Sequence, residues 1–421
     1  MTTRSLGGAG PTAPKWAEAD PAPAPRPIKV LIVDTAIAFG GTLVVARNLL
    51  KHLDSRLVDA SLLSACSDGF VSDGFAGDRK VRLLAPRVNY VTLEKWKLAI
   101  GKRIGWAPLR FGVELMAMVT GILANVPYLV RMVLLYRKLR LDVVHVNNYS
   151  MEPVSGACFL GIPVIFHLHG LISPNLDRSG QRSFRRVRAF VSISRAVTES
   201  AVRAGIDRAR IHEIPNFVER MPEAVPPPMP TAPAIGIFGR IIPWKGQREF
   251  LNAAMHVLAQ FPGLRVYLVG GASDGDVEYF EACREFARAS PYAAQIEFTG
   301  RVHNVAVYYK KCTVVIHASI LPEPFGMVLI EAMAEARPVV ASIFGAASEI
   351  IQDGVEGYLV DPTNSQLMAT RIAALLADPL LAAEMGLKGL RRVRTHYNPH
   401  VAAKEFERLY AKVARSELVH E

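Results

Sequence analysis

Leu321-Pro-Glu-Pro-Phe-Gly-Met-Val-Leu-Ile-Glu-Ala-Met-Ala334 decides how this chain is read. Glu323 and Glu331 bracket it. Pro324 and Gly326 between them predict a turn, and an apolar helical run starts at about Met327. The preceding Thr313-Val-Val-Ile-His-Ala-Ser319 is short, β-branched and apolar, which predicts a buried strand. A strand, a tight turn and a helix leave the first backbone N–H groups of the helix unpaired, at the positive end of its dipole. Such a helix start suits phosphate or sugar oxygens. Glu323 in the turn and Glu331 further into the helix would each accept from a vicinal pair of hydroxyls, which sugars and riboses offer. On spacing alone the two glutamates would read as a solvated pair. The Pro-Phe-Gly between them and the Arg-Pro-Val-Val-Ala that follows carry the stretch beyond that reading.

A second motif lies upstream. Gly239-Arg-Ile-Ile-Pro-Trp-Lys-Gly246 follows the expected strand Ala234–Gly239 and precedes an expected helix over Gln247–Leu258. Two cations and glycines at a helix start describe a diphosphate clamp, with a forked donor from Arg240 and a point charge from Lys245. A solvated surface loop is the plainer alternative. A further strand is expected at Leu264–Gly271, and helix from about Leu367 onward.

The first half of the chain repeats the strand-then-helix order. Ile28–Asp34 reads as a parallel strand, followed by Gly40-Gly41 and a helix to about Leu53. The glycine pair permits close backbone approach at that helix start, although such a pair is more often a simple turn. Short strands are expected over 58–65 and 81–85. Leu141–Asn147 and Pro163–Gly170 end in Asn147-Asn148-Tyr149 and in His169, at the carboxyl ends where open α/β sheets bind ligands. Met221 to Pro233 carries six prolines, which predicts a stiff extended linker. The organisation expected is a tail over 1–27, a first α/β domain over 28–220, a linker over 221–233, a second α/β domain over 234–400 and a last helix within 401–421. Two such domains imply a cleft that holds the ligand.

The glutamate stretch resembles the E-x7-E signature of retaining glycosyltransferases of the GT-B fold, in particular family 4, the glycosyl transferases of group 1. Glu331-Ala-Met-Ala-Glu-Ala-Arg-Pro-Val-Val-Ala341 follows the usual EAMA-x-G-x-PVVA with Ala336 in place of the glycine. Gly239–Gly246 resembles the G-R…K-G pattern, with one residue fewer between the cations than some members have. Phe190–Ser194 resembles V-S-x-S, Ile214–Val218 resembles I-P-N-G-V with Phe217 for glycine, Phe298–Val302 resembles F-x-G-x-V, and Gly345–Gly357 resembles G-G-x-x-E-I-I-x-D-G-x-x-G with Ala346 for the second glycine. The likeness covers about 28–90 and 141–415.

It implies two Rossmann-like domains facing a cleft, with the last helix crossing back to the first domain. It implies sugar transfer from a nucleotide-sugar donor to a sugar or lipid-linked acceptor, with retention at the anomeric carbon and with no metal or other cofactor. Arg240 and Lys245 would then neutralise the leaving diphosphate, Glu323 would hold sugar hydroxyls, Glu331 the ribose, and His169 would meet the sugar from the opposite domain. Gly40 and Gly41 would lie against the donor diphosphate or the acceptor, Phe325, Gly326 and Met327 against the donor, and Arg301 and Val302 against its base. A sugar-nucleotide epimerase or phosphorolytic enzyme shares the architecture. The three missing glycines also fit a non-catalytic scaffold.

The 421 residues carry 49 Lys and Arg against 38 Asp and Glu, a net charge of +11. That suits nucleic acid, anionic headgroups or phosphorylated small molecules; the motifs favour the last, and no nucleic-acid partner is expected. The four cysteines are scattered without a C-x-x-C, as in a reduced cytosolic chain. The first 27 residues lack the apolar core of a secretory signal and read as a disordered tail. One block stands out. From Trp96 to Arg140, apolar runs alternate with Lys97, Lys102, Arg103, Arg110, Arg131, Arg137, Lys138 and Arg140, with Lys95 just before. This suits docking on an anionic bilayer, on the inner face of the membrane; a helix pair packed on the sheet is the alternative.

Overall fold

The computed structural model describes residues 26–36, 41–64, 81–83, 112, 116, 126–175, 178–219, 226–273 and 275–415. Gly40, the tail up to residue 25, the last six residues and, of the basic block, Lys95 to Arg110 lie outside them. Arg26, at the end of the expected tail, is held by a forked ion pair with Asp142 at 2.8 and 3.0 Å.

Two parallel sheets organise the chain. The first runs β3-β2-β1-β4-β5-β6-β7, built from Ile28–Asp34 (β1), Val58–Ser64 (β2), Val81–Leu83 (β3), Val143–Val146 (β4), Val164–Leu168 (β5), Ala189–Ser192 (β6) and Ile211–Glu213 (β7). The second runs β10-β9-β8-β11-β12-β13, from Ala234–Phe238 (β8), Arg265–Val269 (β9), Ile296–Gly300 (β10), Val314–His317 (β11), Val339–Ser342 (β12) and Gly357–Val360 (β13). The central strands are apolar on both faces, as sheets covered by helices on both sides require: β4, β5, β8, β11 and β12 are buried along their whole length. In the first sheet the strand order reverses between β1 and β4, and in the second between β8 and β11. Ligands of open α/β sheets bind outside the carboxyl ends of the strands at such points. Most strands end a residue or two earlier than the sequence suggests, which leaves Asn147, His169 and Ser319 just beyond the sheet edges.

The last helix, Pro399–Arg415, belongs to the first domain by packing although it follows the second in sequence. Ala402, Ala403, Phe406, Leu409, Tyr410 and Val413 form its buried face, in one core with Val30, Ile32, Leu43, Leu49 and Phe217. Each large side chain buried there contributes roughly 1.5–3 kcal/mol. Phe217, standing where the resembled pattern has glycine, is 1% exposed and fills that core.

The linker packs against the second domain. In its described part, residues 226–233, the Pro228 carbonyl accepts from Arg337 at 2.8 Å and the Met229 sulfur lies 3.1 Å from the same guanidinium. Arg337 is fully buried, and these bonds offset part of its lost hydration. The linker is therefore fastened to the second domain. Beside it, Ala336 adopts φ 54°, the left-handed region that glycine occupies at least cost.

Candidate active site

The second-domain half is built at the β8 and β11 ends. After β8 the chain turns through Arg240 and a short 3-10 turn, Pro243–Lys245, into the helix Gln247–Leu258; Gln247 donates to the Arg240 carbonyl at 2.8 Å and folds the loop back. Arg240 is exposed, and its guanidinium makes no hydrogen bond or ion pair among the described residues. Lys245 closes the same loop. Its Nζ lies 2.6 Å from Glu323 Oε1 and 4.5 Å above the Trp244 ring.

Glu323 is the centre of this cluster. Its Oε2 accepts from His317 Nε2 at 2.6 Å and from Ser319 Oγ at 2.8 Å. Burial alone would push this carboxyl up, but the His317 hydrogen bond and the charges of His317 and Lys245 hold it well below the ordinary carboxylate range. The backbone is fixed as well: Ala346 N donates to the Glu323 carbonyl at 2.9 Å. Gly345, at φ 80°, packs so close that a Cβ there would stand 2.3 Å from Glu323 N. Ala346 has φ −81°, open to any residue, so the loss of the second expected glycine costs nothing here. His317 and Ser319 were not singled out in the sequence; a His-x-Ser just past an apolar strand and before the turn is the signal that would have found them.

Gly326, at φ 109°, caps the start of the helix Met327–Ala334 and lets the turn deliver its first N–H groups outward. Phe325 points inward and packs edge-on against Tyr397, so only its backbone faces the turn. One and a half turns on, Glu331 accepts from Tyr309 OH at 2.8 Å, and Tyr309 is stacked 4.0 Å from Phe238. Burial pushes the Glu331 carboxyl up to about 7, against the Tyr309 bond and with help from the charge of Glu219. Arg301 is exposed beyond β10, its stem against Gly271, and Val302 packs partly into the core.

The first-domain half is built around one buried carboxylate. Asp34, at the end of β1, is 1% exposed; it accepts from Asn147 Nδ2 at 2.9 Å, Ala36 N at 2.9 Å and Asn148 Nδ2 at 3.2 Å. Asn147 Oδ1 in turn faces His169 Nε2 at 3.1 Å. Behind His169 the imidazoles continue: His167 lies 3.9 Å away ring to ring, and His145 links His167 to the Tyr410 hydroxyl of the crossing helix at 2.7 Å. Burial lowers all three, His145 and His169 to about 3. Among the described residues, a Cβ at Gly41, which opens the helix Gly41–His52, would meet nothing within 4 Å.

The halves touch at the glutamate turn. Ser194 caps the helix Arg195–Arg203 and donates to the Pro324 carbonyl at 2.7 Å. Both Glu349 oxygens accept from the first N–H groups of that helix, Arg195 at 2.8 Å and Ala196 at 2.9 Å, a carboxylate on the positive end of a dipole. Among the described residues, no group of three or more His, Cys, Asp or Glu could hold a metal ion, and no single helix is long and apolar enough to cross a membrane.

Comparison with known proteins places this geometry. The family model described as Glycosyltransferase Family 4 matches residues 39–220, including the basic block that the motifs had left unmatched, and that described as Glycosyl transferases group 1 matches 225–392. The lipopolysaccharide core biosynthesis mannosyltransferase LpcC of Rhizobium leguminosarum is 29% identical over 201 residues, 48% of this chain and 56% of that protein. A phosphatidyl-myo-inositol mannosyltransferase of Mycobacterium leprae is 32% identical over 211 residues, 48% of this chain and 54% of the relative. The chain thus spans about half the length of the curated relatives it matches. Anabaena HepE, solved in complex with UDP, shares the fold with a TM-score of 0.72 at 20% identity, over 91% of this chain and 100% of that one. With both halves matched, the two domains in GT-B arrangement and the E-x7-E turn in place, the chain belongs to the group 1 glycosyltransferases, family 4.

Proposed function

We propose that this protein transfers a sugar from a nucleoside-diphosphate sugar to an acceptor, with retention at the anomeric carbon. The observation that carries the reading is the turn at Glu323: a carboxylate, a lysine and a helix start converge at one switch point, against the first domain. In the reaction the bond from the sugar C1 to the diphosphate oxygen breaks and a bond from C1 to an acceptor hydroxyl forms on the same face. The hydroxyl proton passes to the departing phosphate. Charge grows on that phosphate, and Arg240, Lys245 and the outward N–H groups after Gly326 meet it. Arg240 stands free for this role, whereas Lys245 must exchange Glu323 for phosphate as the donor arrives. Glu323, kept ionised, is an acceptor for sugar hydroxyls; Glu331 takes the ribose, and Arg301 and Val302 flank the base. No metal is assigned a role. A thermal-shift panel of UDP-, GDP- and ADP-sugars, followed by product analysis of the anomeric configuration, tests the reading: a donor raises the melting temperature by mass action. Stabilisation without turnover would favour a binding scaffold, and inversion would overturn the mechanism.

The acceptor belongs, in this reading, to a cell-surface glycolipid or polysaccharide, the class named for the relatives above. The first domain supplies a physical argument. In the helical stretch 126–139, Val126, Val130 and Leu134 form an exposed apolar stripe at helical spacing, bordered by exposed Arg131, Arg137 and Lys138. Cations beside an exposed apolar face suit the surface of an anionic bilayer on the cytoplasmic side. Co-sedimentation with anionic vesicles but not neutral ones, weakened by salt, is the expected result; failure to pellet at low salt would leave a soluble acceptor.

A further inference from the structure

The first-domain half carries a hydrogen-bond chain whose direction follows from counting donors and acceptors. Asn147 Nδ2 lies 2.9 Å from Asp34 Oδ2 and 2.8 Å from the Thr42 carbonyl oxygen. The carbonyl can only accept, and the Asp34 carboxylate already receives two further N–H groups. Turned over, the amide would set its oxygen against both. The nitrogen is therefore fixed, and the oxygen is the atom facing His169 Nε2 at 3.1 Å. An amide oxygen can only accept, so Nε2 carries the proton. A neutral imidazole has one proton, which leaves Nδ1 a bare lone pair, and no described residue donates to it. The titratable groups around the ring are His167 stacked on it, His145 behind, and Asp34 beyond the amide. Burial holds His169 down at about 3, so the ring is neutral near physiological pH.

We propose that Asn147 is a positioning residue for sugar transfer: anchored by Asp34 and the Thr42 carbonyl, it locks His169 as the Nε2–H tautomer, so that Nδ1 accepts from a hydroxyl of the donor sugar and supplies no proton to the leaving group. The sugar-facing half of this rests on the function proposed above; the tautomer lock does not. Two consequences follow. The proton that neutralises the leaving phosphate comes from the acceptor hydroxyl and not from His169. A donor lacking the hydroxyl that meets Nδ1 loses about tenfold in kcat/KM, the worth of one neutral hydrogen bond.

The test begins without any sugar. Long-range proton–nitrogen NMR on histidine-labelled protein, with His169→Gln supplying the assignment, is expected to show Nε2 protonated and Nδ1 bare on both sides of neutral pH. A protonated Nδ1 in the unaltered protein overturns the lock. Asn147→Leu is expected to mix the tautomers and to lower kcat/KM about tenfold while UDP or GDP affinity, set in the other domain, stays within twofold. Should that variant not fold, the paired exchange Asp34→Asn with Asn147→Asp keeps the bond between the two side chains, forgoes the one to the Thr42 carbonyl, and sets a carboxylate against Nε2. Rate should then return on the alkaline side and fall as His169 gains a proton, an acid limb absent from the parent. A paired variant with the parent's pH profile overturns the proposal. Because the tautomer is read in the free protein, it decides the lock even where no panel donor binds, a result that overturns the sugar-facing half alone.

Discussion

The two halves of the cleft hold their key side chains by opposite means. In the second domain, Lys245, His317 and Ser319 converge on one ionised carboxylate, and the exposed Arg240 waits beside them. In the first domain the group proposed to face the sugar is a neutral imidazole, oriented by an amide that the Asp34 carboxylate anchors. The difference follows from the ligand proposed for each. A diphosphate needs mobile positive charge that can leave one carboxylate for another anion. A sugar hydroxyl needs an acceptor of fixed direction and no net charge to desolvate.

The contrast is broken most severely by removing a cation. Arg240→Ala or Lys245→Ala should lower kcat by about a hundredfold or more with the fold intact, since each meets charge that grows only in the transition state. Near-normal turnover with a bound donor would place the diphosphate elsewhere. The two glutamates sharpen the comparison within the second domain. Glu323→Ala is expected to act mainly on kcat, and Glu331→Ala mainly on the donor KM, each by about tenfold or more. The reverse partition would mean that the donor lies the other way round.

A smaller effect comes from pH. Glu331 is lifted by burial to about 7, and in the role proposed for it only the ionised form would accept from both ribose hydroxyls. Donor affinity should therefore tighten as pH rises through about 7, and Glu331→Gln should abolish the dependence; calorimetry with the nucleoside diphosphate reads both. For the fold the sign is opposite. A raised carboxyl favours the folded state below its unfolded value, and that contribution is lost as pH rises through the folded one. The smallest expected effect lies outside the cleft. Ala336→Gly relieves the left-handed backbone at φ 54° and should stabilise by about 1 kcal/mol or less, with activity unchanged.

The same contrast explains what could be read before the fold was known. The second-domain half is written in two continuous stretches, 239–246 and 321–331, because one loop and one turn supply nearly all of it. Glycine, proline and charge mark such turns plainly. Even there, the Lys245–Glu323 pair joins residues far apart in sequence, and no local pattern announces it. The first-domain half is assembled from the ends of three strands. Asn147 and His169 were legible as residues at strand ends, but the part Asp34 plays required knowing that β1 lies beside β4. Glu349 was visible as part of a pattern; that it holds a helix start of the other domain was not. Ala336 and Ala346 looked alike as missing glycines, and only the backbone separates them: one sits at positive φ and the other does not.

The crossing helix carries a consequence for exchanging parts between relatives. Its residues Phe406, Leu409, Tyr410 and Val413 complete the core of the first domain, and Tyr410 closes the line of histidines that begins at His169. The two domains are therefore not separable by one cut in the proline segment. A hybrid that takes residues 28–220 from this chain and the remainder from a relative would receive a foreign helix in its own interior. Recombination that preserves the packing needs two junctions, one near 221–233 and one just before Pro399, so that the helix travels with the domain it fills.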